Sequence, residues 1–252
     1  MNRENSIIYL ISSPDSDSTF EELKDAFGAE RAVDINMDLY IRTYSKIMSY
    51  KDAVLIIAYA KTRKFYDLRW LSYDEPGFLD ISGKSYHDAF MSTAELAFKT
   101  GARKVLWINH LCPFITSAEI GLAFSNINEK NIVIGPASNK GLYLAGFSRD
   151  AFKVFDDFYP LRENLTDEVM EKIKKNRYSV VEMRENILIK DEDSLKILTE
   201  GVNPDLKSAV NSELNNSAVS NDNIKHKKKH EKKDDVLNKS ADSGELDLNK
   251  KN

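Results

Sequence analysis

The sequence predicts an α/β protein, a three-layer α/β/α sandwich around a mostly parallel central sheet. Apolar runs of strand length alternate with segments of helical periodicity, the pattern of crossover units feeding parallel strands. The run 53–60 is apolar at every position, as expected of a strand covered on both faces. A chain of 252 residues, 42% hydrophobic, can also bury one sizeable core.

The first strand is expected over 7–11, closed by Ser12-Ser13-Pro14. A helix follows over 32–50 with Ile35, Leu39 and Ile47 on one face, and the strand over 53–60 should lie in the middle of the sheet. A polar stretch, 61–83, interrupts the alternation with Pro76-Gly77 before a helix over 86–100 that Gly101 stops. The next strand spans 105–109. Thr116-Ser117-Ala118-Glu119 fits a capping box, in which hydroxyl and carboxylate satisfy each other's free backbone donors as a helix opens; that helix should reach Ile127. Short buried strands over 132–135 and 142–147, a helix over 166–176, a strand over 179–183 and a short helix over 193–198 complete a domain of residues 1–202.

Residues 203–252 contain none of the 25 aromatic side chains and carry 10 Lys against 9 Asp or Glu, so they cannot offset their ordering entropy by burial. They are read as a disordered charged tail. Its cluster from Lys225 to Lys233 is a solvated charge run, or else a dock for an acidic partner or nucleic acid. The tail contributes +1 to the net charge of −4, which leaves −5 on the domain and argues against a general nucleic-acid surface. One cysteine, Cys112, excludes an intrachain disulfide framework and a multi-cysteine zinc site. No stretch has the length of a membrane span, and the opening residues lack a signal-peptide core, so a cytoplasmic protein is expected.

The segment 101–116, Gly-Ala-Arg-Lys-Val-Leu-Trp-Ile-Asn-His-Leu-Cys-Pro-Phe-Ile-Thr, resembles the G-A-R-x-V-L-x-I-G-S-D-C-P-x-L-T element of a bacterial glycosyltransferase-like family, the radical-SAM/selenodomain-associated transferases. The segment 134–146 resembles that family's V-L-G-P-A-x-D-G-G-Y-Y-L-I-G, and Asp191-Glu192-Asp193-Ser194 its D-V-D-T. The resemblance covers about residues 6–198. It implies a GT-A, nucleotide-diphospho-sugar-transferase fold, Mg²⁺ or Mn²⁺ as the family's cofactor, and a nucleotide or nucleotide sugar as partner. By the same resemblance, Pro14, Gly135, Pro136, Ala137, Asn139, Lys140 and Gly141 occupy donor-site positions.

The departures fall on the residues that would do chemistry. Divalent cations of this kind need hard oxygen ligands. The family's metal-binding aspartate position is here Leu111, preceded by Asn109 and His110, and its second carboxylate is Asn139, an uncharged amide. The family's P-x-x-G-x-x-K-T-R-L turn, which cradles and neutralises phosphates, reads from Pro14 with Asp17 for glycine and Phe20-Glu21-Glu22 for Lys-Thr-Arg. Lys61-Thr62-Arg63 repeats the missing tripeptide but follows the second strand, and is set aside as coincidence. Asp191 and Asp193 are retained, either as a metal or acceptor site or as the start of the last helix with Asp193 as its N-cap.

His110 and Cys112 are two apart at the end of a strand, where alternation puts both on one face; a nucleophile pair would need contact and a third orienting group. Cys112 is read as a small buried apolar residue, and His87 as solvated. His226 and His230 lie among lysines that repel a cation. Phe152, Phe155, Phe158 and Tyr159 are read as core or lid packing. The expectation is a glycosyltransferase-related protein that has lost its metal and diphosphate ligands, a non-catalytic or altered binding protein without a cofactor. The alternative is an active metal-independent transferase using a nucleotide-sugar donor, with Lys140, helped by Lys61 or Arg63, stabilising the leaving diphosphate. Whether the chain is an enzyme stays open at this point.

Overall fold

In the computed structural model, which describes residues 3–15, 21–138, 141–159 and 165–200, the apolar run after Glu4 becomes β1 (Asn5–Ser12), buried at every position but the last. Two helices follow, α1 (Glu21–Phe27) and α2 (Ala29–Ser49), separated by Gly28 at φ +81°, a conformation that L side chains rarely adopt. Along α2 the buried positions Asn36, Leu39, Tyr40, Thr43, Tyr44 and Ile47 repeat at helical spacing, which lays one stripe on the sheet.

The remaining elements are β2 (Val54–Ala60), β3 (Leu79–Asp80), α3 (Tyr86–Lys99), β4 (Lys104–Ile108), α4 (Ser117–Asn126), β5 (Asn131–Pro136), β6 (Leu142–Ser148), a 3-10 helix (Asp150–Phe155), α5 (Leu165–Lys175), β7 (Ser179–Glu182) and α6 (Glu192–Glu200). The seven strands lie in the order β3-β2-β1-β4-β6-β5-β7. All pairings are parallel except those of β6, which runs antiparallel to both β4 and β5. The sheet is thus mostly parallel, as the sequence predicts.

The alternation of side chains across β1 sorts the core into two layers. Ile8 and Leu10 join Val105, Trp107, Ala145 and Phe147 on the face covered by α3, the 3-10 helix and α5. Tyr9 faces α2, its hydroxyl donating to the Tyr40 carbonyl at 2.8 Å. Next to α2 lies α4, where Tyr50 stacks on Phe124. The capping box is present as predicted: the Thr116 hydroxyl accepts from Glu119 N–H at 3.2 Å, and the Glu119 carboxylate accepts from Thr116 N–H at 2.8 Å.

Three elements escape the sequence reading: α1, β3 and the 3-10 helix. Phe152, Phe155 and Phe158 are buried among Phe90, Phe98 and Phe147, while Tyr159 remains 39% exposed. The expectation that β2 lies in the middle of the sheet needs correction. Its outer neighbour, β3, pairs only with Ala58 and Tyr59, so the first half of β2 stands at an edge and Val54, Leu55 and Ile56 are half-buried. The compact unit that carries the sheet ends at Leu195. The predicted tail, 203–252, with Lys225 to Lys233, His226 and His230, lies outside the described residues.

Candidate functional site

In open α/β sheets ligands bind beyond the carboxyl ends of the strands where the strand order reverses. Here that place lies between β1 and β4, and it is built from the turns after β1, β2 and β4.

After β1, Ser13 N–H donates to the Ala60 carbonyl at 2.9 Å, so the β1 turn stays attached to the end of β2. The buried Ser13 hydroxyl donates to the Asp15 carboxylate and shares a 3.0 Å hydrogen bond with Thr62 Oγ1. Thr62 Oγ1 in turn accepts from Phe65 N–H at 3.2 Å. The tripeptide Lys61-Thr62-Arg63, read from sequence as coincidental, therefore lies at the same end of the sheet as the β1 turn, because β1 and β2 are parallel neighbours. Its lysine is engaged elsewhere: Lys61 Nζ is 2.8 Å from Asp80, whose carboxyl is lowered to about 2 by that lysine and by Ser82. Arg63 is exposed. Pro14 is buried, and its carbonyl accepts from Asn36 Nδ2 at 3.1 Å. Glu21 and Glu22 are exposed on the first turn of α1, where Glu21 pairs with Lys24. Asp17 and Phe20 lie outside the described residues.

After β4, Asn109 spends both ends of its amide on nearby backbone: Nδ2 donates to the Leu142 carbonyl at 3.1 Å and Oδ1 accepts from Leu111 N–H at 3.0 Å. Leu111 is fully buried, and its carbonyl accepts from Ile189 N–H at 2.8 Å. Its side chain offers hydrocarbon, which does not fit a divalent cation. The Thr43 hydroxyl holds the His110 carbonyl at 2.9 Å, and the imidazole stacks on Tyr40 with 4.4 Å between ring centroids. Trp70 meets Tyr40 edge-on with 5.6 Å between ring centroids and lies 5.9 Å from Tyr59. Aromatic rings from α2 and from the segments after β2 and β4 thus gather into one cluster. Burial foremost, and also Asp15 and Asp67, raise the Tyr59 phenol, against hydrogen bonding from Trp70 and Ser13.

The expectation that His110 and Cys112 share a strand face fails because β4 ends at Ile108 and both residues lie in the following turn. His110 turns to α2, whereas Cys112 is wholly buried near Glu119 and Tyr143. Burial pushes its thiol up to about 12, the reverse of an activated nucleophile. His87 is half-buried, not solvated as expected, with Nδ1 enclosed in protein.

Gly135 and Pro136 are buried at an irregularity between β5 and β6, and a side chain at Gly135 would approach the Tyr143 ring to 2.6 Å. Ala137 N–H donates to the Gly141 carbonyl at 2.8 Å; Asn139 and Lys140 lie outside the described residues. The acidic pair needs correction. Asp191, not Asp193, caps α6: its Oδ1 accepts from Ser194 N–H at 2.8 Å and from the Ser194 hydroxyl at 2.6 Å. Asp193 is exposed within the first turn. Among the described residues, no group of three or more His, Cys, Asp or Glu is placed to hold a metal ion, and no helix is long and apolar enough to cross a membrane. The Ser13–Asp15–Thr62 network and the Tyr40–Trp70–His110 stack were missed from sequence. The helical spacing of Asn36, Tyr40 and Thr43 was the available signal.

A family described as an uncharacterized protein conserved in bacteria (DUF2064) matches residues 47–159, a span that includes the segments 101–116 and 134–146. Among solved structures, a protein from Desulfovibrio desulfuricans G20 described as a nucleotide-diphospho-sugar transferase is 21% identical, with a TM-score of 0.65 over 79% of this chain and 87% of that one. A nucleotidyl transferase from Methanothermobacter thermautotroptrophicus is 10% identical, with a TM-score of 0.56 over 79% and 97%. A 4-diphosphocytidyl-2C-methyl-D-erythritol synthase is 8% identical, with a TM-score of 0.51 over the same shares. No curated protein matches the chain. The fold is that of the GT-A-like nucleotidyl and nucleotide-sugar transferases.

Proposed function

We propose that this chain is a glycosyltransferase-related protein of the radical-SAM/selenodomain-associated type that has lost metal–diphosphate chemistry and serves as a non-catalytic or altered nucleotide-binding protein. The observation that carries this reading is Leu111, buried at the end of β4 with its carbonyl already taken by Ile189 N–H. Where the resemblance implies a carboxylate against a cation, this chain has packed hydrocarbon. Three further features support it. The Asn109 amide is spent on the Leu142 carbonyl and Leu111 N–H, Asp191 is spent on a helix cap, and the β1 turn carries Asp15, which repels phosphate.

A nucleotide or nucleotide sugar remains the proposed partner, bound without Mg²⁺ or Mn²⁺. The test is a thermal-unfolding titration against a panel of nucleoside diphosphates and nucleotide sugars, with and without either cation. A ligand at a hundred times its dissociation constant stabilises by about 2.7 kcal/mol. A shift that does not depend on metal supports the reading. A shift that requires metal, or turnover of a nucleotide sugar, contradicts it.

A further inference from the structure

An apolar groove of about 290 Å³ opens beside the end of α2, away from the switch point, lined by Tyr44, Ile47 and Met48 of the helix, Val54 and Leu55 of β2, and Pro76. Along the same margin residues 54–57 of β2, paired with β1 on their inner side, have no strand partner on their outer side among the described residues. An open strand edge is a template for pairing. Next to the groove, Glu75 N–H donates to the Ser72 carbonyl at 3.0 Å and closes a tight turn, with Glu75 at φ +45°. Tyr73 projects from this turn, 98% exposed. Tyr44 lines the groove, and its phenol is raised by burial foremost, with Ser72 lowering it and Asp74 raising it, so the turn lies against the groove wall.

The charges around the groove are divided. Lys46 and Lys51 are exposed on the helix side, with Asp52 beside Lys51, whereas Asp74 and Glu75 are exposed on the turn side, Glu75 lying 3.9 Å from Arg69. A projecting ring next to an apolar groove, and acids next to lysines, make a surface that complements itself under two-fold rotation. We propose that this face is a homodimer interface, in which each copy inserts Tyr73 into its partner's groove and sets Asp74 against Lys51. The partner is a second copy of this chain.

The test is sedimentation equilibrium of the full chain from about 1 to about 100 µM, with three variants. Tyr73→Ala removes an exposed side chain and should leave the unfolding midpoint unchanged at concentrations where the chain is monomeric, yet raise the dimer dissociation constant by about tenfold or more, as loss of a central aromatic anchor does. Lys51→Glu and Asp74→Lys should each weaken the dimer, and the two together should restore it. A chain that stays monomeric throughout overturns the proposal, including the case in which hydrogen exchange shows the groove covered by residues of its own tail. So does a dimer that Tyr73→Ala and both charge reversals leave intact.

Discussion

At the scale of single residues, the site is defined by what has been packed away. Leu111→Asp would place a carboxylate in a fully buried pocket. It should cost about 3 kcal/mol or more of stability, measured by urea unfolding, because a charge is carried out of water into a fully buried position. A variant that keeps wild-type stability and gains Mn²⁺ affinity would refute this view of the pocket. Cys112 gives a prediction with a sign. Its thiol titrates at about 12 when folded and at about 8.5 when unfolded. Below pH 8.5 both states hold the proton; above it the unfolded chain releases the proton first, so stability should fall as pH rises from about 9 to 12. Cys112→Ala should flatten that slope. Leu111 and Asn139 were legible in the sequence as departures from a pattern. The Ser13–Asp15–Thr62 network was not, because it depends on the register of β1 against β2 across a sequence separation of 49.

At the scale of elements, the strands and long helices were legible because each carries its own period and its own stop signal. The Thr116–Glu119 capping box is the clearest case, and Thr116→Ala should destabilise the protein by about 1 kcal/mol. Gly135→Ala should cost about 1–3 kcal/mol, since its Cβ would meet both the Tyr143 ring at 2.6 Å and Leu144 Cβ at 2.9 Å. Both are read from equilibrium denaturation. The elements that were missed have little local signal. β3 is two residues long, and α1 buries only Leu23. The 3-10 helix did leave a trace, since Phe152 and Phe155 stand three residues apart, its number of residues per turn. β2 misled because continuous apolarity identifies a strand without telling whether it has one strand neighbour or two.

At the scale of the whole molecule, the order of strands turns scattered residues into a site. Parallel pairing of β1 with β2 and β4 brings three separate turns to one end of the sheet, and an antiparallel β6 brings Gly141 against Ala137. The alternation of elements made the α/β sandwich legible, but the gathering of Tyr40, Trp70 and His110 into one cluster required the assembled fold. Likeness to transferases establishes that scaffold, and the chemistry must be judged from its residues. The most direct measurement is an electron paramagnetic resonance titration of Mn²⁺ with the full chain and a nucleoside diphosphate. Loss of the metal site predicts that the protein removes no free Mn²⁺ beyond what the nucleotide alone binds. Stoichiometric loss of the free Mn²⁺ signal on adding protein would contradict it.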